Sequence, residues 1–162
     1  MRYRSRMRLA LYEPDIAGNV GTLLRLGACT GVAVDLIEPM GFPWGAAALR
    51  RAGMDYAGAA EVRRHADWAA FRAATPGRLV LATTRGATAL WDARFGPEDV
   101  LLLGSEGRGV PDEVHAAAGL RVAVPMRAGM RSLNVAVAGA MVLGEMLRQA
   151  RSAGVTATGP AR

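Results

Sequence analysis

The sequence predicts a single α/β domain with a mostly parallel sheet flanked by helices. Three observations carry this. Short apolar runs alternate with helical patterns throughout the chain. Two of the runs, Val100–Leu103 and Val122–Val124, end directly in Gly or Pro, as buried parallel strands do. The chain has 162 residues, 51% of them hydrophobic, enough for one domain with a real core and too few for two.

Arg8–Tyr12 (R-L-A-L-Y) has an alternating pattern and reads as the first strand. Asn19 is a good N-cap for a short amphipathic helix that ends at Thr30-Gly31. Val32–Ile37 reads as the second strand, followed by a Pro- and Gly-rich loop to Trp44 and a helical stretch at 46–52. Ala60–Arg63 is a short strand candidate. Asp67 is placed to cap a helix over Trp68–Ala74. Leu79–Thr83 is a further strand, and 85–97 is irregular or edge-like. Strand Val100–Leu103 leads through a Gly loop into a helix over 111–117, then strand Arg121–Val124 and the loop Pro125–Arg131. Ser132 is placed to cap a last helix running to about Ala150. The first three turns of that helix are almost wholly apolar or small, the pattern of a helix buried on most sides. Gly139 and Gly144 would admit another backbone, and a subunit interface is a natural place to bury such a helix. Residues 1–7 read as a basic N-terminal extension, 8–150 as the domain, and 151–162 as a disordered tail. Residues 1–6 are either an Arg-rich RNA-binding arm or precede a true start at Met7.

The bulk numbers exclude several classes. No run of about 18 apolar residues marks a membrane span, and no signal-type segment follows the basic N-terminus, so a cytoplasmic protein is expected. Cys29 is the only cysteine, which removes internal disulfides and multi-cysteine zinc sites. The net charge of +6 is misleading, because residues 7–150 hold 15 Arg against 14 acidic residues. All 20 basic residues are Arg. Arg favours bidentate phosphate contact, but a coding bias explains the usage equally well. The loop Gly104–Gly109 (G-S-E-G-R-G) departs from the dinucleotide-binding order, and a chain without Lys has no Walker loop. Ser105 lacks the elbow of an α/β hydrolase. His65 and His115 are expected on surface helices or loops, and no metal is expected.

What remains is a pair of ligand-type loops, 104–109 and 125–134, at the ends of two strands, where ligands bind in open α/β sheets. Their backbone N–H groups suit an adenine and an amino-acid moiety, although two ordinary tight turns would read the same. Glu106 is either a solvated turn carboxylate or a residue that pairs with an Arg or orders the loop. Arg25, set among leucines, either snorkels at the surface or points into a cleft. Asn134 is equally a helix cap and a ligand contact.

Three segments, Asn19–Arg25 (N-V-G-T-L-L-R), Leu101–Pro111 (L-L-L-G-S-E-G-R-G-V-P) and Val124–Ala138 (V-P-M-R-A-G-M-R-S-L-N-V-A-V-A), resemble the three motifs of the SPOUT, or α/β-knot, RNA 2′-O-methyltransferases. The opening L-Y-E-P at Leu11–Pro14 and the stretch I-E-P-M-G-F-P-W…L-R-R-A-G-M-D-Y at Ile37–Tyr56 resemble the minimal members that methylate the wobble nucleotide of tRNA. The resemblance spans about Arg8 to Gln149. It implies a trefoil knot from about Leu79, an exception to the usual absence of knots. It implies S-adenosylmethionine as cofactor, with contacts at Ala82, Gly104, Glu106, Val124, Met126, Ser132, Leu133 and Asn134. It implies a homodimer through the final helix, with Arg25 as the catalytic residue at a site shared between subunits. The tRNA anticodon stem-loop is the implied substrate, and Arg50, Arg51, Arg127 and Arg131 are the candidates for phosphate contact. Two positions depart from the family pattern. Gly18 stands where Pro is frequent, and Gly144 stands where a tRNA-contacting Tyr is found. A different RNA site, ribosomal or in the tRNA D-loop, and a catalytically idle RNA-binding protein are the competing readings.

Overall fold

The computed structural model describes residues 6–45, 47, 58–85 and 87–152. Seven strands form one sheet: β1 Arg8–Tyr12, β2 Ala33–Ile37, β3 Val62–His65, β4 Leu79–Ala82, β5 Thr88–Ala89, β6 Val100–Leu103 and β7 Leu120–Ala123. The helices are α1 Ala17–Thr30, α2 Trp68–Ala74, α3 Asp112–Ala117 and α4 Val135–Ser152, with a 3-10 turn at Leu90–Asp92. The strand order is β3-β2-β1-β6-β4-β7-β5, and every pairing is parallel.

The period of two sorts each strand's side chains between two cores. Leu9, Leu11, Val34, Leu36, Val80, Leu101 and Leu103 face α1 and α4, where Leu23, Leu24, Val142, Leu143 and Met146 meet them. Ala10, Ile37, Leu79, Leu81, Val100 and Leu102 face the other way, toward Phe71 of α2 and Val114 of α3. The helices after the adjacent strands β1 and β6 therefore lie on opposite faces. That leaves a crevice beyond the carboxyl ends of those strands.

A polar cluster interrupts the second core. Asp35, fully buried on β2, accepts two bonds from the Arg8 guanidinium (2.6 and 2.9 Å). His65 Nε2 lies 2.7 Å from Asp35 Oδ1. His65 is thus 8% exposed and sits at the end of a strand, not on the surface helix or loop expected of it; its ring packs edge-on against Phe71.

Other boundaries move as well. The first helix begins before Asn19. Ile16 is its N-cap, and the Asn19 side chain turns elsewhere. Asn134, rather than Ser132, caps the last helix, accepting from Ala136 N (2.8 Å) and Val137 N (3.2 Å). The Asp67 cap stands as expected, accepting from Ala70 N. The edge-like 85–97 stretch contains β5, the two-residue edge strand. Gly139 admits side chains rather than another backbone: a Cβ there would lie 2.7 Å from Leu103 Cδ1 and 3.1 Å from Leu23 Cδ2. Met7, just outside the expected domain, is buried in the first core. The expected helix at 46–52, with Arg50 and Arg51, lies outside the described residues, apart from Ala47, as does the tail beyond Ser152.

Two glycines of α1 give a direct test of the packing. A Cβ on Gly27 would lie 2.7 Å from the Val32 carbonyl oxygen and 2.6 Å from Val34 Cγ2, whereas Gly18 has nothing within 4 Å. Gly27→Ala should cost about 1–3 kcal/mol. Gly18→Ala, in the first turn, should add about 0.4–1 kcal/mol by restricting the unfolded chain. Urea unfolding of the two variants checks both signs.

A carboxylate on α4 predicts part of the acid sensitivity. Bonds from Arg148 and then Gln149 lower the Glu145 carboxyl from 4.5 to about 2. Its folded value is depressed, so its contribution to stability is complete above the ordinary carboxylate value. That contribution is lost as pH falls from about 4.5 toward about 2. Glu145→Gln should flatten the stability curve in that window, measured as urea midpoint against pH.

Candidate active site

The carboxyl ends of β4, β6 and β7 and the start of α4 enclose a cavity of about 450 Å³, within the range of small-molecule sites. Its apolar wall comes from the strand ends and α4: Leu81, Leu103, Val122, Val124, Leu133 and Val135. Its polar groups are Asn19, Thr83, Thr84, Ser105, Glu106, Ser132 and Asn134.

The loop after β6 is narrow. Ser105 N donates to Gly109 O (3.1 Å) and Gly109 N donates to Ser105 O (2.8 Å). Gly109 adopts φ 65°, which glycine favours. A Cβ on Gly104 would lie 2.9 Å from the Gly109 carbonyl carbon. The sequence G-S-E-G-R-G is what allows the strand to close on itself so tightly.

A chain of side-chain bonds ties this loop to the others. Asn134 Nδ2 donates to Asn19 Oδ1 (3.0 Å), and Asn19 Nδ2 donates to Glu106 Oε1 (3.1 Å). Glu106 Oε2 accepts from the backbone N–H of Asp15 (2.7 Å). Asp15 Oδ2 accepts from Ser105 Oγ (2.5 Å) and from Gly107 N (3.2 Å). The Ser105 hydroxyl, then the Gly107 amide, hold the Asp15 carboxyl below its ordinary value. Glu106 thus orders the loop and pairs with no Arg among the described residues. Asn134 caps α4 and also lines the cavity.

All eight expected cofactor positions, Ala82, Gly104, Glu106, Val124, Met126, Ser132, Leu133 and Asn134, line this one cavity. Arg25 does not line it; the residue lies exposed on α1. Arg127 and Arg131 are exposed on the loop that leaves β7 and make no ion pair among the described residues. Neither histidine lines the cavity. His115 Nδ1 lies 3.2 Å from an Arg121 nitrogen. Among the described residues no group of three or more His, Cys, Asp or Glu could hold a metal ion, and no helix is long and apolar enough to cross a membrane. Sequence reasoning missed Thr83, Thr84 and Asp15, and weighed Ser105 by itself only as a hydrolase nucleophile. The paired hydroxyls directly after a buried strand were a readable signal for the threonines.

The SpoU rRNA Methylase family matches residues 6–144. The chain belongs to that family. A tRNA (cytidine(34)-2′-O)-methyltransferase of Ancylobacter novellus is 56% identical over 156 residues, covering 94% of this chain and 99% of the relative. One of Escherichia coli is 40% identical over 146 residues, covering 88% and 93%. A solved structure described as giving insights into the 2-OH methylation of C/U34 on tRNA superposes with a TM-score of 0.85 at 39% identity, covering 90% and 97%. An AdoMet-bound rRNA methyltransferase from Sinorhizobium meliloti superposes at 0.79 with 25% identity, covering 91% of this chain and 61% of that one.

The cavity of this SpoU methylase fits the cofactor of that last relative in its chemistry. It offers an apolar wall for a planar base, and the carboxylate of Glu106 for the positive charge of an amino group or sulfonium. The cap at Asn134 supports one side of it. Asn134→Ala should cost about 1 kcal/mol, the usual value of a lost N-cap, while Asn134→Asp, which keeps the acceptor, should cost less. Thermal unfolding of both variants separates the cap from the bond to Asn19.

Proposed function

We propose that this SpoU-family chain transfers a methyl group from S-adenosylmethionine to the ribose 2′-hydroxyl of the wobble nucleotide, position 34, of tRNA. One observation carries the reading. All eight residues that the family resemblance marks for the cofactor converge on a single cavity, in a chain whose relatives at 40–56% identity are named for that reaction. Bound there, S-adenosylmethionine supplies an electrophilic methyl group on a positively charged sulfur. Val124, Leu133 and the strand ends would hold its base, and Glu106, Ser132 and Asn134 its polar end.

The protein must still align a poor nucleophile and stabilise the charge that develops on its oxygen. In this proposal Arg25 does so. A guanidinium seldom gives up its proton, so Arg25 stabilises the developing alkoxide and holds the adjacent phosphate rather than acting as a free base, and the hydroxyl proton passes to bulk water as the oxygen takes the methyl group. Its place on the exposed side of α1 supports a site completed across two subunits. The exposed apolar residues of α4, Val137 (49%) and Met141 (38%), support α4 as the surface a second copy covers. Arg127 and Arg131 are the proposed phosphate contacts, together with Arg50 and Arg51, and the anticodon stem-loop is the proposed substrate. The trefoil knot from about Leu79 and a cytoplasmic location complete the proposal.

The test is a transfer assay with tritiated S-adenosylmethionine and tRNA from a strain lacking this gene, with the labelled nucleotide located by digestion. Label on a 2′-O-methyl nucleotide at position 34 is expected. Label elsewhere in tRNA, or no label on tRNA but label on ribosomal RNA supplied in a parallel reaction, would overturn the wobble assignment and keep the chemistry. Arg25→Lys should lower the transfer rate at least about a hundredfold, because Lys lacks the planar fork. Its cofactor affinity should stay near that of the parent.

A further inference from the structure

The crevice beyond β1 and β6 is closed by Asp15, a residue outside the three motifs. Asp15 lies in the short connection from β1 to α1, and it faces the loop after β6 in both directions. Its carboxylate receives the Ser105 hydroxyl (2.5 Å) and the Gly107 amide (3.2 Å). Its own amide donates to the Glu106 carboxylate (2.7 Å). Three consecutive residues of the Gly loop are thus bound to one residue of the other loop. Glu13, two residues earlier, takes φ 41°, a left-handed conformation uncommon outside glycine, and its carboxylate pairs with Arg108 of the same Gly loop (3.3 Å). The loop that follows β2 closes the third side. Gly41 N donates to Pro14 O (2.9 Å), and a Cβ on Gly41 would lie 2.9 Å from the Asp15 Cα.

We propose that Asp15 is a positioning residue for the cofactor: by holding Ser105 and Gly107 it fixes the Gly loop, and with it the direction of the Glu106 carboxylate at the cavity. The inference rests on the methyl transfer proposed above. Ser105 and Glu106 line the cavity and Asp15 does not, so Asp15 acts through them. Without its carboxylate the Ser105 hydroxyl and the Gly107 amide lose a charged acceptor. The loop is then free to take other arrangements, and only a fraction of molecules presents the binding shape, which weakens the observed affinity by that fraction. Arg127 and Arg131, the arginines proposed above for tRNA, share no ion pair or hydrogen bond with these groups among the described residues, so RNA affinity should not follow.

The experiment is calorimetric titration of S-adenosylmethionine into the parent protein, Asp15→Ala, Asp15→Asn, Ser105→Ala and the Asp15→Ala/Ser105→Ala double variant, with the KM for tRNA measured alongside. Loss of the charged acceptor should raise the dissociation constant about tenfold in Asp15→Ala. Asp15→Asn, which keeps an acceptor oxygen of the same shape, should recover most of the loss. Ser105→Ala should raise the constant by about threefold, and the double variant should be no worse than Asp15→Ala, because the two residues act as one unit. The KM for tRNA should stay within about twofold of the parent. Cofactor affinity unchanged in Asp15→Ala, or effects of the two single variants that simply add, would overturn the inference while leaving the methyl transfer standing. An equal rise in the KM for tRNA would overturn it too, since Asp15 would then act on the whole site and not on the cofactor loop alone. If Asp15→Ala does not fold, Ser105→Ala decides, and unchanged affinity there overturns the inference. A parent protein that does not bind the cofactor would sink the proposed function and this inference together.

Discussion

The tie between the Asp15 loop and the Ser105–Gly109 loop gives the cavity a defined floor. Parallel strands deliver their chain ends to one side of a sheet but do not hold the following loops in register with one another. Here the adjacent strands β1 and β6 send their helices to opposite faces, so no helix bridges the gap between the two loops. Carboxylates do it instead. The bonds from Ser105 Oγ to Asp15, from the Asp15 amide to Glu106, from Asn19 to Glu106 and from Asn134 to Asn19 form one continuous path. The path reaches from the first connection of the chain to the cap of its last helix. Removing a partner from such a path leaves others unsatisfied, which costs more than the net worth of any single bond.

The two-faced core explains why the cavity lies where it does. Leu103 packs toward α1 and α4 and also lines the cavity, while Leu81 belongs to the other core and lines it as well. The cavity therefore sits across the end of the sheet and not on either face. Its walls are the last residues of strands that are buried for packing reasons alone. The cavity needs only the short loops and the start of α4 in addition.

Much of this was legible in the sequence, and what was not has a physical cause. The strand Val100–Leu103 and the helix Trp68–Ala74 with its Asp67 cap were readable because local pattern and tertiary environment agree there. Asn19 and Ser132 misled because capping chemistry is a local preference. Asn19 spends its amide on Glu106, 87 residues away, and the cap of α4 falls to Asn134, two residues after Ser132. His65 looked like a surface residue because nothing near it in sequence shows that Asp35 waits one strand over. The eight positions expected for the cofactor rest on a family likeness, and they line one cavity. Asp15, which belongs to no motif, was invisible because its partners are about 90 residues distant.

The buried Asp35 has a consequence for how the edge of the sheet assembles. Val34 and Leu36, its neighbours on β2, point into the face packed by α1 and α4. A slip of β2 by one residue would turn Asp35 into that hydrocarbon layer, away from Arg8 and His65, and bring a leucine or valine to the guanidinium. Both the stranded carboxylate and the stranded cation would then be desolvated without compensation. Hydrophobic strands such as β2 carry little information about their own alignment, since one apolar residue replaces another at modest cost. The Arg8–Asp35–His65 cluster supplies that information. It works as a key whose three parts meet in the native alignment of three neighbouring strands.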